Sequence, residues 1–167
     1  MPSLFDITIP PYLRALKNLS LNLEKARAFA DESGTAHEDL LAARLYPDML
    51  PLTGQIQRAS DASRFVAVRV AGAPARPMAD DEATFDQLQA RISATRDYLK
   101  SVPAEAFEGK EDAEVKFKAG TRELVFTGQS YVLSFAIPNF YFHVTTAYGI
   151  LRHKGAPLGK MDFLGAN

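Results

Sequence analysis

The chain has 167 residues, enough for one domain with a sizeable core. Hydrophobic residues make up 47% and charged residues 23%, a balance that excludes low-complexity disorder. With 19 basic against 20 acidic side chains, the net charge is -1, and no basic stripe of the kind a nucleic-acid binder needs stands out. Cysteine is absent, which excludes disulfides, thiolate metal sites and cysteine nucleophiles. No segment approaches the roughly 20 apolar residues that span a bilayer. No helix shows the Lys/Arg-rich face of a membrane-surface binder. The N-terminus Met1-Pro2-Ser3-Leu4-Phe5-Asp6 lacks the basic and apolar regions of a secretory signal, so a cytoplasmic location is expected.

The first helix is predicted to start near Pro10-Pro11, where proline is tolerated, and to end at Ser33-Gly34. Tyr12, Leu16, Leu19, Leu23, Ala26 and Ala30 place one apolar stripe along it. A loop or short helix containing His37 covers Thr35 to Tyr46. The second long helix is expected from Pro47 to Ala71, with a stripe of Leu52, Ile56, Ala59, Phe65 or Val66, and Val70. Gly72 to Asp81, with its prolines and small residues, reads as a connector.

The third helix starts around Thr84, because Thr84 and Gln87 have the spacing of a capping box. Its stripe is Phe85, Leu88, Ile92, Thr95, Leu99 and Val102, and Pro103 stops it. The period then changes to two. Val115 and Phe117, then Leu124 and Phe126, alternate with polar or outward residues on either side of Ala119-Gly120-Thr121. That pattern predicts a short β-hairpin, which should lean on the helices because two strands alone are marginal. The fourth helix begins at Thr127 and runs to about His153, with Pro138 bending it from within. The tail from Gly155 to Asn167 is expected to pack back on the surface.

Four amphipathic helices bury their stripes most readily against one another. The expected fold is therefore all-α, one four-helix bundle over residues 1–167, with a hairpin between helices three and four. The long connection that carries the hairpin permits a crossover.

Chemistry concentrates on the fourth helix. Asn139 and His143 are four apart and so share one face, the face that also carries Val132, Ala136, Ala147 and Ile150. Asp48 and Gln55 are seven apart on the expected second helix, near its apolar stripe. If those helices are neighbours, the four side chains meet in one pocket, the geometry that bundles use for metal and cofactor sites. One ring of Phe140-Tyr141-Phe142 is expected to line it, and Tyr141 is taken as a ligand-binding candidate. The competing structural reading is that His143, Asn139 and Gln55 only satisfy buried polar groups, and that Asp48 only complements a helix dipole. His37 and His153 are expected to be exposed. No two histidines have ligand spacing. Phosphate-loop, dinucleotide and serine-nucleophile motifs are absent.

The fourth helix and tail also carry a resemblance. Pro138-Asn139-Phe140-Tyr141-Phe142-His143, Ala147-Tyr148, Leu151-Arg152-His153-Lys154-Gly155, Pro157-Leu158-Gly159 and Asp162-Phe163-Leu164-Gly165 resemble a bacterial family described only as a domain of unknown function. Ala43-Arg44-Leu45, Pro47-Asp48-Met49, Gln55, Ala59 and Phe107-Glu108-Gly109 agree with it. More distantly, that family is similar to the DinB/YfiT-like superfamily of metalloenzymes. The resemblance implies a four-helix bundle with a crossover. It also implies a metal held by one histidine of the second helix and two, four apart, on the last. In that superfamily a ligand histidine is often followed nine residues on by arginine and three further by glycine, as His143, Arg152 and Gly155 are here. The paired ligand position falls on Asn139, and the second helix offers Asp48 or Gln55 in place of histidine.

The expectation is thus a DinB-like bundle with a polar pocket between helices two and four. His143 and Asp48 are its catalytic and metal-ligating candidates, and Gln55, Asn139 and Tyr141 its ligand-binding ones. A divalent metal, Zn or Ni, and a small-molecule ligand are what the resemblance implies, and a homodimer is expected by base rate. The alternative is a non-catalytic binding or interaction module in which the metal site has been lost.

Overall fold

The computed structural model describes residues 2–165. Four long helices dominate: α1 (Ile9–Ser33), α3 (Leu52–Arg69), α4 (Phe85–Lys100) and α6 (Ile137–His153). Shorter helices are α2 (His37–Leu41), α5 (Gly128–Tyr131) and α7 (Lys160–Leu164), with a single 3-10 turn at Ala104–Phe107. Strands β1 (Glu114–Ala119) and β2 (Arg122–Thr127) pair antiparallel, Val115 opposite Phe126 and Phe117 opposite Leu124.

The helix signals act as the sequence suggests. Gly34 takes the left-handed conformation at φ +70°, and its N–H closes α1 on the Ala30 carbonyl. Thr84 and Gln87 form the reciprocal capping box of α4, with Gln87 N donating to Thr84 Oγ1 at 3.2 Å. The stripes meet in one core that includes Leu16, Leu19 and Leu23 of α1, Leu52, Ile56 and Val66 of α3, Leu88, Ile92 and Leu99 of α4, and Phe140 and Ile150 of α6. Each such side chain contributes roughly 1.5–3 kcal/mol by leaving water. Of the two alternatives on the second stripe, Val66 is buried and Phe65 is exposed.

The packing order is a ring. α1 contacts α4 and α6, while α3 contacts α4 and, most extensively, α6. Consecutive α3 and α4 are ring neighbours, whereas the connections from α1 to α3 and from α4 to α6 pass between elements that are not.

The second long helix is shorter than the stripe predicts. It starts at Leu52 with Pro51 as its N-cap, and ends at Arg69. A helix already running from Pro47 would hold Pro51 in its second turn, where the missing N–H forfeits a backbone hydrogen bond. The chain instead turns through residues 45–49, held by Leu52 N donating to the Ala43 carbonyl (2.9 Å) and the Arg44 guanidinium donating to the Met49 carbonyl (2.5 Å).

The last long helix is also not uniform. Thr127 caps α5, then Val132–Ala136 winds as a π-helix before α6 begins. Ile137 N–H reaches back five residues to the Val132 carbonyl, so the turn widens just ahead of Pro138, which has no N–H to give. The bend expected at Pro138 takes the form of this wider turn.

The hairpin does lean on the helices. Phe117 and Phe126 stack at 6.1 Å, Phe117 meets Phe135 at 5.0 Å, and the Arg69 guanidinium lies 3.8 Å over the Phe117 ring. The tail folds back through α7, where Asn18 Nδ2 donates to the Phe163 carbonyl at 3.1 Å and Lys25 pairs with Asp162. No helix of the described residues is long and apolar enough to cross a membrane.

Candidate functional site

Gln55 sits on the first turns of α3 and His143 in the middle of α6, the two most closely packed helices. Gln55 is buried, and its side chain is fixed at both ends. Its Nε2 donates to the Leu50 carbonyl at 3.1 Å, which leaves its Oε1 as an acceptor. His143 Nδ1 lies 2.8 Å from that oxygen. An amide oxygen cannot donate, so Nδ1 carries the proton, and in the neutral ring Nε2 then presents a lone pair.

His143 is half-buried, and burial pushes its pKa below the ordinary 6.5, with the Arg58 guanidinium adding to the effect. The neutral imidazole is the form the site favours. Phe142, 54% exposed, meets the His143 ring edge-on at 5.2 Å. In the loop before α3, Leu45, Tyr46 and Leu50 are exposed, and Leu45 Cδ1 lies against Gly149 of α6.

The expected residues separate. Gln55 and His143 meet as the helix faces predict. Asn139 lies one turn before His143 and is half-buried, so both sit at the edge of the inward face while Phe140, Val144 and Ala147 take its centre. Asp48 is corrected in position. It lies in the loop before α3, exposed, with no hydrogen bond or ion pair to described residues, because the helix begins only after Pro51. Tyr141 does not border His143. Two residues from His143 on a helix, it faces away, packing edge-on to Tyr12 (6.4 Å) and lining a separate groove of about 660 Å³ with Pro10, Asn18, Met161 and Phe163. Phe142 is the aromatic neighbour of His143 instead. His153 is exposed as expected. His37 is half-buried, with its Nε2 2.7 Å from Asp31 and its ring edge-on to Phe85.

One cluster was not anticipated. Asp61 of α3 receives Arg64 and also Arg91 of α4 (2.9 Å), and Arg91 pairs with Glu82 at 2.8 Å and Asp80 at 3.1 Å. Arg91 also donates to the Ala79 carbonyl at 2.7 Å, and Tyr98 donates to that of Pro74 at 3.0 Å. Burial opposes the charge of Glu82, but hydrogen bonds from Arg91 and Gln57 hold its carboxyl below the ordinary 4.5. Every charge in the cluster has an opposite partner, and its role is to tie the connector to α3 and α4. The signal was in the sequence: Asp61 and Arg64 are three apart, next to the apolar stripe.

The family model described as "Domain of unknown function (DUF1993)" matches residues 4–164, nearly the full chain. The chain belongs to the DUF1993 family. A DinB family member protein from Shewanella denitrificans, known from a crystal structure, is 36% identical to it. That match covers 98% of this chain and 93% of the other, with a TM-score of 0.86. The DUF1993 fold of this chain is accordingly a helical DinB-like one. No curated protein matches the chain.

The donor set can be compared with the metal that the DinB resemblance implies. Among the described residues, no three His, Cys, Asp or Glu side chains form a group able to hold a metal ion. Gln55 Oε1 is turned to His143 Nδ1, and Asn139 supplies a neutral amide where a second imidazole would be needed. These residues do not fit a Zn or Ni site.

Proposed function

We propose that this DinB-like chain is a crossover four-helix bundle whose working site is the α3–α6 face at His143, and that it binds a small molecule there. His143 Nε2 serves as hydrogen-bond acceptor and, for a substrate with an acidic X–H, as general base. The observation that supports this reading is the doubly anchored Gln55, which fixes the tautomer and orientation of His143 in the way catalytic bases are fixed.

Asn139, one turn away, offers a second polar group to the same ligand, and Phe142 offers an apolar face. Asp48 has no part in this reading. A proton accepted at Nε2 would place a positive charge near Arg58, which makes the imidazolium a ready acid for returning the proton.

A thermal-shift screen of small alcohols, thiols, phenols and amides tests the reading. Wild type is compared with His143→Gln and, as a surface control, His153→Gln. Stabilisation of wild type and His153→Gln that disappears in His143→Gln supports it. Hits that stabilise all three proteins equally, or no hits at all, contradict it and favour a non-catalytic interaction module.

A further inference from the structure

We infer that the His143 site of this chain works without a resident divalent metal, its reactive atom being the single imidazole Nε2. The inference rests on the proposed site, and it sets this chain apart from the three-histidine arrangement that the DinB/YfiT-like resemblance implies.

His143 Nδ1 is spent on Gln55, so the ring can offer one bond, through Nε2. Gln55 cannot be the second ligand in this arrangement, because its oxygen accepts from Nδ1 and its nitrogen donates to the Leu50 carbonyl. Asn139 is the remaining polar neighbour on the helix, and a neutral amide is a weak donor for Zn or Ni. Asp48, the one carboxylate the sequence suggested, is on the exposed loop. No group of three His, Cys, Asp or Glu side chains exists among the described residues to complete a set.

The same features that remove the metal suit a proton acceptor. One lone pair points outward from a ring locked by a buried amide. The ligand class is therefore a molecule that donates a hydrogen bond from O–H, N–H or S–H.

Metal analysis of the purified full chain tests the inference. The protein is equilibrated with Zn²⁺ alone and with Ni²⁺ alone, passed through a desalting column and assayed for retained metal. The nitrogen NMR signals of His143 are followed in parallel. The expected result is a metal-to-protein ratio far below one, equal in wild type and His143→Gln, with the His143 signals unmoved by added metal. The variant Gln55→His/Asn139→His, which rebuilds three imidazoles, is expected to retain more metal than wild type. Stoichiometric metal on wild type that is lost in His143→Gln overturns the inference. That outcome would leave the proposed ligand site standing, whereas absence of any His143-dependent ligand in the thermal-shift screen would remove that site and leave the metal result intact.

Discussion

Gln55 Oε1 and His143 Nδ1 lie 2.8 Å apart across the α3–α6 interface, 88 residues apart in the chain. The pair joins fold to chemistry, since the helix packing that builds the core also sets which ring nitrogen of His143 faces outward.

Replacing Gln55 by Leu is expected to remove both of its hydrogen bonds and leave Nδ1 without its acceptor. The cost is about 1–3 kcal/mol, the range for an unsatisfied half-buried polar group, read as a lowered urea midpoint. His143→Leu in the Gln55→Leu background is expected to recover part of the loss, because both partners are then apolar. A double mutant less stable than the sum of the two single mutants would contradict the coupling.

The pH dependence of stability has a definite sign. The folded pKa of His143 is lowered, by burial first and by Arg58 second, so below pH 6.5 the unfolded chain takes up a proton that the folded chain resists. Stability contributed by the neutral ring is complete above pH 6.5 and declines as pH falls toward the folded pKa. Glu82 is depressed below 4.5 in the folded state, so its contribution is present above that value and is lost at more acid pH. Urea titrations from about pH 2 to pH 8 check both, with His143→Gln expected to abolish only the upper decline.

Half of the candidate site was legible in the sequence. Helical spacing put Asn139 and His143 on one face, and the α3 stripe put Gln55 opposite, because spacing along a helix fixes direction. Asp48 was misplaced because Pro47 looks like a good first residue of a helix, while Pro51 is the stronger stop. Which of the rings Phe140, Tyr141 and Phe142 borders His143 is not legible from spacing, because three consecutive rings point three ways and only the packing of α6 on α1 and α3 decides. The π-turn could not be read, since a proline announces a missing hydrogen bond but not the way the backbone absorbs it. Of the Asp61–Arg91 cluster, the Asp61–Arg64 pair within α3 is legible from its spacing, while the pairing with Arg91 depends on the register of α3 against α4, a tertiary fact.

Arg91→Met is expected to cost about 3 kcal/mol, because it leaves Glu82 and Asp61 with fewer partners in a buried setting. The connector from residue 72 to 83 should then open, measured as faster hydrogen exchange and faster proteolysis there than at α1. Uniformly faster exchange throughout the chain would argue against a local tether.

Gly128→Ala is expected to be among the most damaging small substitutions. An added Cβ would lie 2.0 Å from the Lys110 carbonyl oxygen, where the turn after Phe107 docks on the start of α5. Overpacking against backbone costs roughly 1–3 kcal/mol or more, a fall in melting temperature of about 2–12 °C for a chain of this size. An unchanged melting temperature would show that the turn moves freely.

The protonation state of His143 is the most direct measurement of all. A two-bond proton–nitrogen NMR spectrum of the wild-type imidazole at pH 7.5 should show Nδ1 protonated and Nε2 bare, with the pattern lost in Gln55→Leu. A ring protonated at Nε2 alone, or at both nitrogens, would contradict the assignment of Nε2 as the atom that does the work.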